Sequence, residues 1–404
     1  MTTISTTPVG TDENGHLRSS TRRDTLRTWL GDQRRYWLDY LILAVVFVVS
    51  YVAVLRTYSQ FLPDSRYYLG MSLWFGGDSQ AQAHSIVQSV ARLHGYVTPS
   101  VQQMFGWGLV QPRVVFPLLA APFVHVFGST GLLMVTAAAT VALVLVVYFL
   151  LARRYGRAIS VGVVVLMMAS PLIMYFSTAM LTESFSALWG AISLAVAWRY
   201  QRDPRMRWLL VLGAVTAVSA FTRQATFIVA GAFVVAWLLS LVIRSAPRGW
   251  GRPALVVGAT AVILQIVQTI VFPSFSQTAH FETITGTKSL GAAILTTPHL
   301  LISILRADLD TYFQEDLVVL IVIVLALISL VVFWKRSESH LLLGALIGIA
   351  LYNVTNGTPT AFRYSMPGLI FFLISVAVLA SRVGRPRVAR ASLSVDETPS
   401  SASQ

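Results

Sequence analysis

The chain has no cysteine, which excludes disulfides, Cys-ligated zinc and thiol nucleophiles whatever compartment it faces. Charge is scarce as well: only 12% of its 404 residues are Asp, Glu, Lys or Arg, whereas 55% are hydrophobic and the mean hydropathy is +0.68. A water-soluble enzyme is excluded. Acids are the scarcer sign, 17 against 30 basic residues, which gives a net charge of +13 and a pI of about 10.4. The basic residues are dispersed among apolar segments, so the excess does not point to nucleic acid. No Walker loop, dinucleotide-binding glycine motif or Gly-x-Ser-x-Gly elbow occurs. The available chemistry rests on carboxylates, Arg, His, Tyr and hydroxyls.

What the chain does have is long apolar runs. A helix needs about 20 apolar residues to cross about 30 Å of hydrocarbon while satisfying its own backbone. Ten segments meet that need: 38–55, 131–152, 158–176, 179–198, 206–222, 224–243, 254–272, 317–334, 340–355 and 365–381. The fold class is therefore all-α, a polytopic membrane protein of about ten transmembrane helices. The stretch 114–127 is too short and holds Pro117, Pro122 and His125; it reads as an interfacial or dipping segment.

With the N-terminus on the cytoplasmic side, 22 basic residues fall inside and eight outside, namely Arg56, Arg66, Arg92, Arg113, Arg223, Lys288, Arg306 and Arg363. An eleventh span at 114–127 would move the Arg153-Arg154-Tyr155-Gly156-Arg157 cluster outside and invert every later loop, so the charge rule rejects it. The expected localisation is the cell membrane, multi-pass, with both termini cytoplasmic. Residues 1–35 and 384–404, rich in Ser, Thr and Arg, read as disordered cytoplasmic tails flanking a transmembrane domain over 36–383. The first apolar segment lacks a small-residue cleavage pattern and reads as an uncleaved anchor.

Two long outer loops remain, 56–130 and 273–316, and long ordered loops are where function concentrates. Asp64 follows Pro63 and precedes an apolar, aromatic run with Tyr67, Tyr68, Trp74 and Phe75. It reads both as a helix N-cap and as a partly desolvated carboxylate whose pKa drifts up toward that of a general base. Ala83, Ile86, Val87, Val90 and His94 make one stripe of an interfacial helix whose N-cap position falls at Asp78. Arg113, before Phe116-Pro117, reads either as a residue snorkelling to lipid phosphate or as a fork for the phosphate of a lipid-linked substrate. Glu183, Arg223 and Arg363 sit at outer ends of spans, where charge is costly; Glu183 with Arg223 can be a site or a structural tie. Asp308-Leu309-Asp310 lacks the further ligands a metal site needs and reads as a solvated cap on an interfacial helix; no metal is expected.

Taken in order, Asp64 just after span one, Pro112-Arg113 through Phe116-Pro117, Arg153-Arg154, Leu181-Thr182-Glu183, Thr222-Arg223, and Arg363-Tyr364 followed by Pro367 resemble the integral-membrane glycosyltransferases of the GT-C type. The likeness is especially to the polyprenyl-phosphate-sugar-dependent protein mannosyltransferase and aminoarabinose-transferase-like group, over roughly 38–381. The resemblance implies an enzyme moving a sugar from a polyprenyl-phosphate donor to an acceptor hydroxyl of a glycan, lipid or protein on the outer face, with inversion. It implies Asp64 as catalytic base and Arg113, Arg363 and Arg223 near the donor phosphate. Tyr67, Tyr68, Glu183 and Tyr364 are further candidate substrate contacts. No cofactor is implied beyond the lipid-phosphate sugar itself. Here Asp64 is followed by Ser65 and the loop carries Gln111-Pro112-Arg113, where many relatives have a second acid or a basic-Pro-Pro motif. The competing readings are a lipid-linked-sugar flippase or transporter, and a glycan polymerase or ligase.

Overall fold

The computed structural model describes residues 22–243, 249–274 and 276–383, with side chains from Tyr36 onward except that of Gln277. Much of the N-terminal tail and all of 384–404 lie outside the described residues. The structured part is helical, and among the described residues there is no strand. The helices are α1 (Arg22–Thr57), α2 (Ser65–Phe75), α3 (Gln80–Leu93), α4 (Val101–Gly106), α5 (Val115–Phe127), α6 (Thr130–Tyr155), α7 (Arg157–Met168), α8 (Pro171–Thr178) and α9 (Glu183–Arg202). They continue as α10 (Met206–Ala220), α11 (Thr226–Val242), α12 (Gly251–Val271), α13 (Gln277–Thr285), α14 (Leu290–Glu315), α15 (Leu317–Val332) and α16 (Ser337–Asn356), then a 3-10 helix (Arg363–Gly368) and α17 (Leu369–Val383). The described residues divide into two compact units, one with the first part of α1 up to Val45 and one from Val46 onward with the rest of α1 and every other element.

Among the described residues, six helices are long and apolar enough to cross a membrane, or seven if a bent pair counts as one span. The chain is thus compatible with a multi-pass membrane protein. The expected span 158–176 is not one rod: α7 and α8 meet at 77°. The cause is local, since Pro171 at the first position of α8 has no N–H to give the preceding turn. Ser170 caps α8 by accepting from Ile173 N. Asp316 then secures the corner: one carboxylate oxygen accepts from Ser170 Oγ and Leu172 N, the other from Val319 N at 2.9 Å. A single side chain so caps the starts of both α8 and α15. Within the stretch 114–127 lies α5, a short helix with Pro122 inside it. The loop 273–316 is mostly helix, and α14 within it is itself long and apolar enough to count among the six.

Glycine decides how closely the helices carrying charge approach one another. Gly231 of α11 faces Gly344 and Gly348 of α16; a Cβ on Gly344 would lie 2.7 Å from Ala232 Cα, and one on Gly348 2.8 Å from Ile228 Cα. A Cβ on Gly190 of α9 would lie 2.5 Å from the Pro367 carbonyl oxygen. These backbone contacts bind α11 to α16 and the 3-10 turn to α9. Gly344→Ala should therefore cost about 1–3 kcal/mol through overpacking. Gly162→Ala, where a Cβ meets nothing within 4 Å, should be neutral or stabilising. Thermal unfolding of the two purified variants checks the difference, and equal melting temperatures would refute the close crossing.

Candidate functional site

The site begins with a carboxylate that no water reaches. Glu183, the first residue of α9, is fully buried, and an ionised acid there needs paired charge. Its Oε1 takes two guanidiniums: Arg223 Nη1 at 2.7 Å, from the turn before α11, and Arg363 Nε, from the 3-10 turn. Arg223 is itself 2% exposed. Its Nε donates to the Tyr352 hydroxyl at 3.1 Å and its Nη1 to Thr182 Oγ1 at 3.3 Å. The Tyr352 and Tyr364 rings, with centroids 4.8 Å apart, both lie close under that guanidinium.

Arg363 carries the network to the protein surface. Its Nη2 reaches Asp64 Oδ2 at 2.5 Å, joining residues 299 positions apart in sequence. Asp64 does occupy the N-cap position of α2, yet its side chain makes no capping hydrogen bond. The capping reading is therefore overturned, because the guanidinium outcompetes the amide hydrogens of the first turn. The expected direction of its pKa is overturned too. Burial pushes the carboxyl up, but Arg363, with Arg113 and Arg223 behind it, more than offsets that and holds Asp64 below the usual carboxylate range. Its side chain remains about a third exposed.

Arg113 stands apart from these ion pairs. It is 6% exposed, its Nη1 donates to the hydroxyl of fully buried Tyr68 at 2.9 Å, and its Nε has no partner. Asp64 and Glu183 balance Arg223 and Arg363, so Arg113 leaves the cluster with one net positive charge. Of the other expected contacts, Tyr364 lies in the cluster, whereas Tyr67 packs on Trp107 at 5.3 Å between centroids.

The turn that presents Arg363 is strained. Ala361 and Phe362 both have positive φ, 48° and 73°, although neither is glycine. Asp308 of α14 holds them there, its Oδ1 accepting from Thr360 N at 2.9 Å and Ala361 N at 2.8 Å. This corrects its reading as a solvated cap: it is 4% exposed because its partners are amides of a distant turn. Asp78 is not an N-cap either. Ser79 is, in a reciprocal capping box with Gln82, since the hydroxyl one residue nearer the helix has the extended backbone the motif requires. The buried stripe of α3 is Ala83, Val87 and Ala91, with Ile86 exposed. No group of three metal-ligating side chains occurs among the described residues.

Sequence reasoning missed Tyr352, which lies inside an apolar run with no motif around it, and the positioning part of Asp308, whose partners lie more than fifty residues on. Compared with protein-family models, curated proteins and solved structures, the chain matches none.

Removing Glu183 leaves Arg223 buried without a counter-charge. Glu183→Gln should cost about 3–5 kcal/mol of stability, seen as a large drop in melting temperature. Asp203→Asn, which breaks surface pairs with Arg205, Arg199 and Arg207, should leave it unchanged. Equal effects would mean that the Glu183 cluster is not sealed from water.

Proposed function

We propose that the chain is an integral-membrane glycosyltransferase of the GT-C type, transferring a sugar from a polyprenyl-phosphate donor to an acceptor hydroxyl at the outer membrane face. The observation that carries this reading is the commitment of Asp64, partly exposed and uncapped, to a guanidinium that also binds buried Glu183. A carboxylate able to take a proton thus sits beside cations able to hold a phosphate. Asp64 accepts the proton of the acceptor hydroxyl as its oxygen attacks the anomeric carbon from the opposite face. The bond from that carbon to the phosphate oxygen breaks, and the leaving lipid phosphate keeps the electron pair. Arg113 and Arg363 stabilise the charge that grows on that phosphate.

A paired carboxylate is a weak base, and the same geometry relieves this. As Arg363 turns toward a bound phosphate, its hold on Asp64 weakens and the carboxylate gains basicity when the donor is in place. An apolar groove of about 200 Å³, bordered by Ala53, Val54, Met168, Pro171 and Met174, offers room for part of an isoprenoid tail. The proposed topology has ten spans, α1, α6, the bent α7–α8 pair, α9 to α12 and α15 to α17. The termini are cytoplasmic, and the Asp64 end of the bundle faces outward. The opposite end of α9 is also charged: there Arg154 stacks on Trp198 at 4.2 Å and pairs with buried Glu338 at 2.6 Å. A transporter would more naturally carry its charges at the midplane between repeats, not at helix ends.

Asp64→Asn keeps size and removes proton acceptance, so transfer of radiolabelled sugar should fall by about 10²–10⁴ with normal membrane insertion. Activity within threefold of wild type would sink Asp64 as the base. Because its folded-state pKa is depressed, the ionised form persists through neutral pH and is lost only as pH falls below the usual carboxylate range. The acid limb of kcat/KM should accordingly lie below the usual carboxylate range, and a limb above that range would refute the depression. Topology is tested separately, and the lack of native cysteine makes the test clean. Cysteine at Ser79 or Thr278 should react with an impermeant thiol reagent in intact cells, and cysteine at Lys335 should not; the reverse pattern would overturn the proposed orientation.

A further inference from the structure

A second polar cavity, of about 460 Å³, lies at the other end of α9 and is bordered by Arg154, Tyr155, Arg336, Glu338 and Arg382. Its volume falls within the range of about 300–1,000 Å³ usual for small-molecule sites. The ends of α6, α7, α16 and α17 all contribute to its wall. It is separate from the cluster around Glu183. Trp198, on which Arg154 stacks, stands fifteen positions along α9 from Glu183, about 22 Å at the rise of a helix. In the proposed topology this end faces the cytoplasm.

Among the described residues on this wall Glu338 is the one acid, and both its oxygens are engaged. Oε1 accepts from Arg154 Nη2 at 2.6 Å and from the Tyr155 hydroxyl at 3.1 Å, and Oε2 accepts from Ser337 Oγ at 3.3 Å. A buried carboxylate demands such partners, so the network fixes Arg154 over Trp198. The other two guanidiniums have no acid: among the described residues neither Arg336 nor Arg382 forms an ion pair. Arg336 lies over the Phe333 ring at 5.6 Å. Three guanidiniums against one carboxylate leave two positive charges around one cavity. Ile159 in the first turn of α7 and Arg336 as the N-cap of α16 also line it, so the positive ends of two helix dipoles add to the same sign. A cleft lined by one sign of charge concentrates counter-ions. The other arginines at this end are arranged differently: Arg199, Arg205 and Arg207 all pair with Asp203, and Arg153 and Arg202 are exposed and do not line the cavity.

We propose that this cavity binds a phosphomonoester, carried either by the headgroup of a membrane lipid or by a soluble molecule. Such a group bears a charge of about −1.5 to −2 at neutral pH, which matches the two uncompensated guanidiniums, and its oxygens suit the forked donors of Arg336 and Arg382. A zwitterionic headgroup fits less well. Its cation would need an acid, and the carboxylate on the wall is already held by Arg154 and Tyr155. The proposal does not rest on the transferase reading, since none of its residues belongs to the Asp64 end.

The test titrates the purified full-length protein in detergent, by calorimetry, with dihexanoyl phosphatidate, dihexanoyl phosphatidylcholine and glycerol 3-phosphate. Wild type should bind at least one of the two phosphomonoesters about tenfold or more tighter than phosphatidylcholine. Glycerol 3-phosphate within about threefold of phosphatidate assigns the site to a soluble ligand, and preference for phosphatidate alone assigns it to a lipid headgroup. No preference over phosphatidylcholine overturns the site. Location is read from variants. Arg336→Gln combined with Arg382→Gln should weaken phosphomonoester binding about tenfold or more, while Arg153→Gln combined with Arg202→Gln, which removes the same charge from the same end, should stay within about threefold of wild type. A wild-type titration in the first pair places the phosphate elsewhere, at Arg113 for one, and overturns the proposal. Equal losses in both pairs overturn it in favour of diffuse attraction to any basic surface. Neither Arg336 nor Arg382 pairs with an acid, so the first pair should melt like wild type without ligand. If it melts early, Arg382→Gln alone, at an exposed position, takes its place: a loss of about threefold or more supports the site, and unchanged affinity overturns it.

Discussion

One carboxylate sealed from water organises the charged end of this protein. Glu183 has no exposed surface, and removing an ion of that size from water costs several kcal/mol even after relaxation. Arg223 and Arg363 must both be present when the helices close around it. That requirement fixes the start of α9 against the start of α11 and against the 3-10 turn. Asp64 is reached only through Arg363, so the geometry at the surface is inherited from a pair inside. The arrangement explains why Asp64 is no ordinary helix cap, and why a partly exposed acid has its pKa pulled down instead of up.

The five ionisable residues divide into a balanced part and an unbalanced one. Two acids and two guanidiniums neutralise each other, which suits a framework. Arg113, held by the Tyr68 hydroxyl, does not fit that framework and keeps a charge with no ion-pair partner among the described residues. A preorganised cation in a low-dielectric site is how proteins stabilise charge that appears only during a reaction or on binding, and this one borders a cavity instead of facing open solvent.

Much of this was legible in the sequence because apolar runs and stray charges carry the strongest signals in such a chain. The helical class follows from run length, and Asp64, Glu183, Arg223 and Arg363 stand out because charge at a helix end in apolar surroundings is costly. What could not be read were long-range partners. Asp64 after Pro63 has the local form of a cap, and only Arg363, 299 positions away, changes its meaning. Asp308 has the local form of a surface acid, and only the amides of Thr360 and Ala361 reveal its part. The kink at Pro171 was present in the sequence, but hydropathy averaged over a window passes across a single proline. Ser79 displaced Asp78 as cap by one residue, a distance that backbone geometry settles and composition does not.

The glycine crossing of α11 and α16 has a mechanical consequence. With backbones in contact at Gly231, Gly344 and Gly348, the two helices have no side-chain layer to slide over and act as one strut. Arg223 and Tyr352 are carried on it as a fixed wall. Arg363 instead hangs on a turn of left-handed residues whose shape depends on one acid reaching over from α14. The wall that carries Tyr352 is thus held rigid by backbone contact, whereas the seat of Arg363 takes its shape from one distant side chain, Asp308.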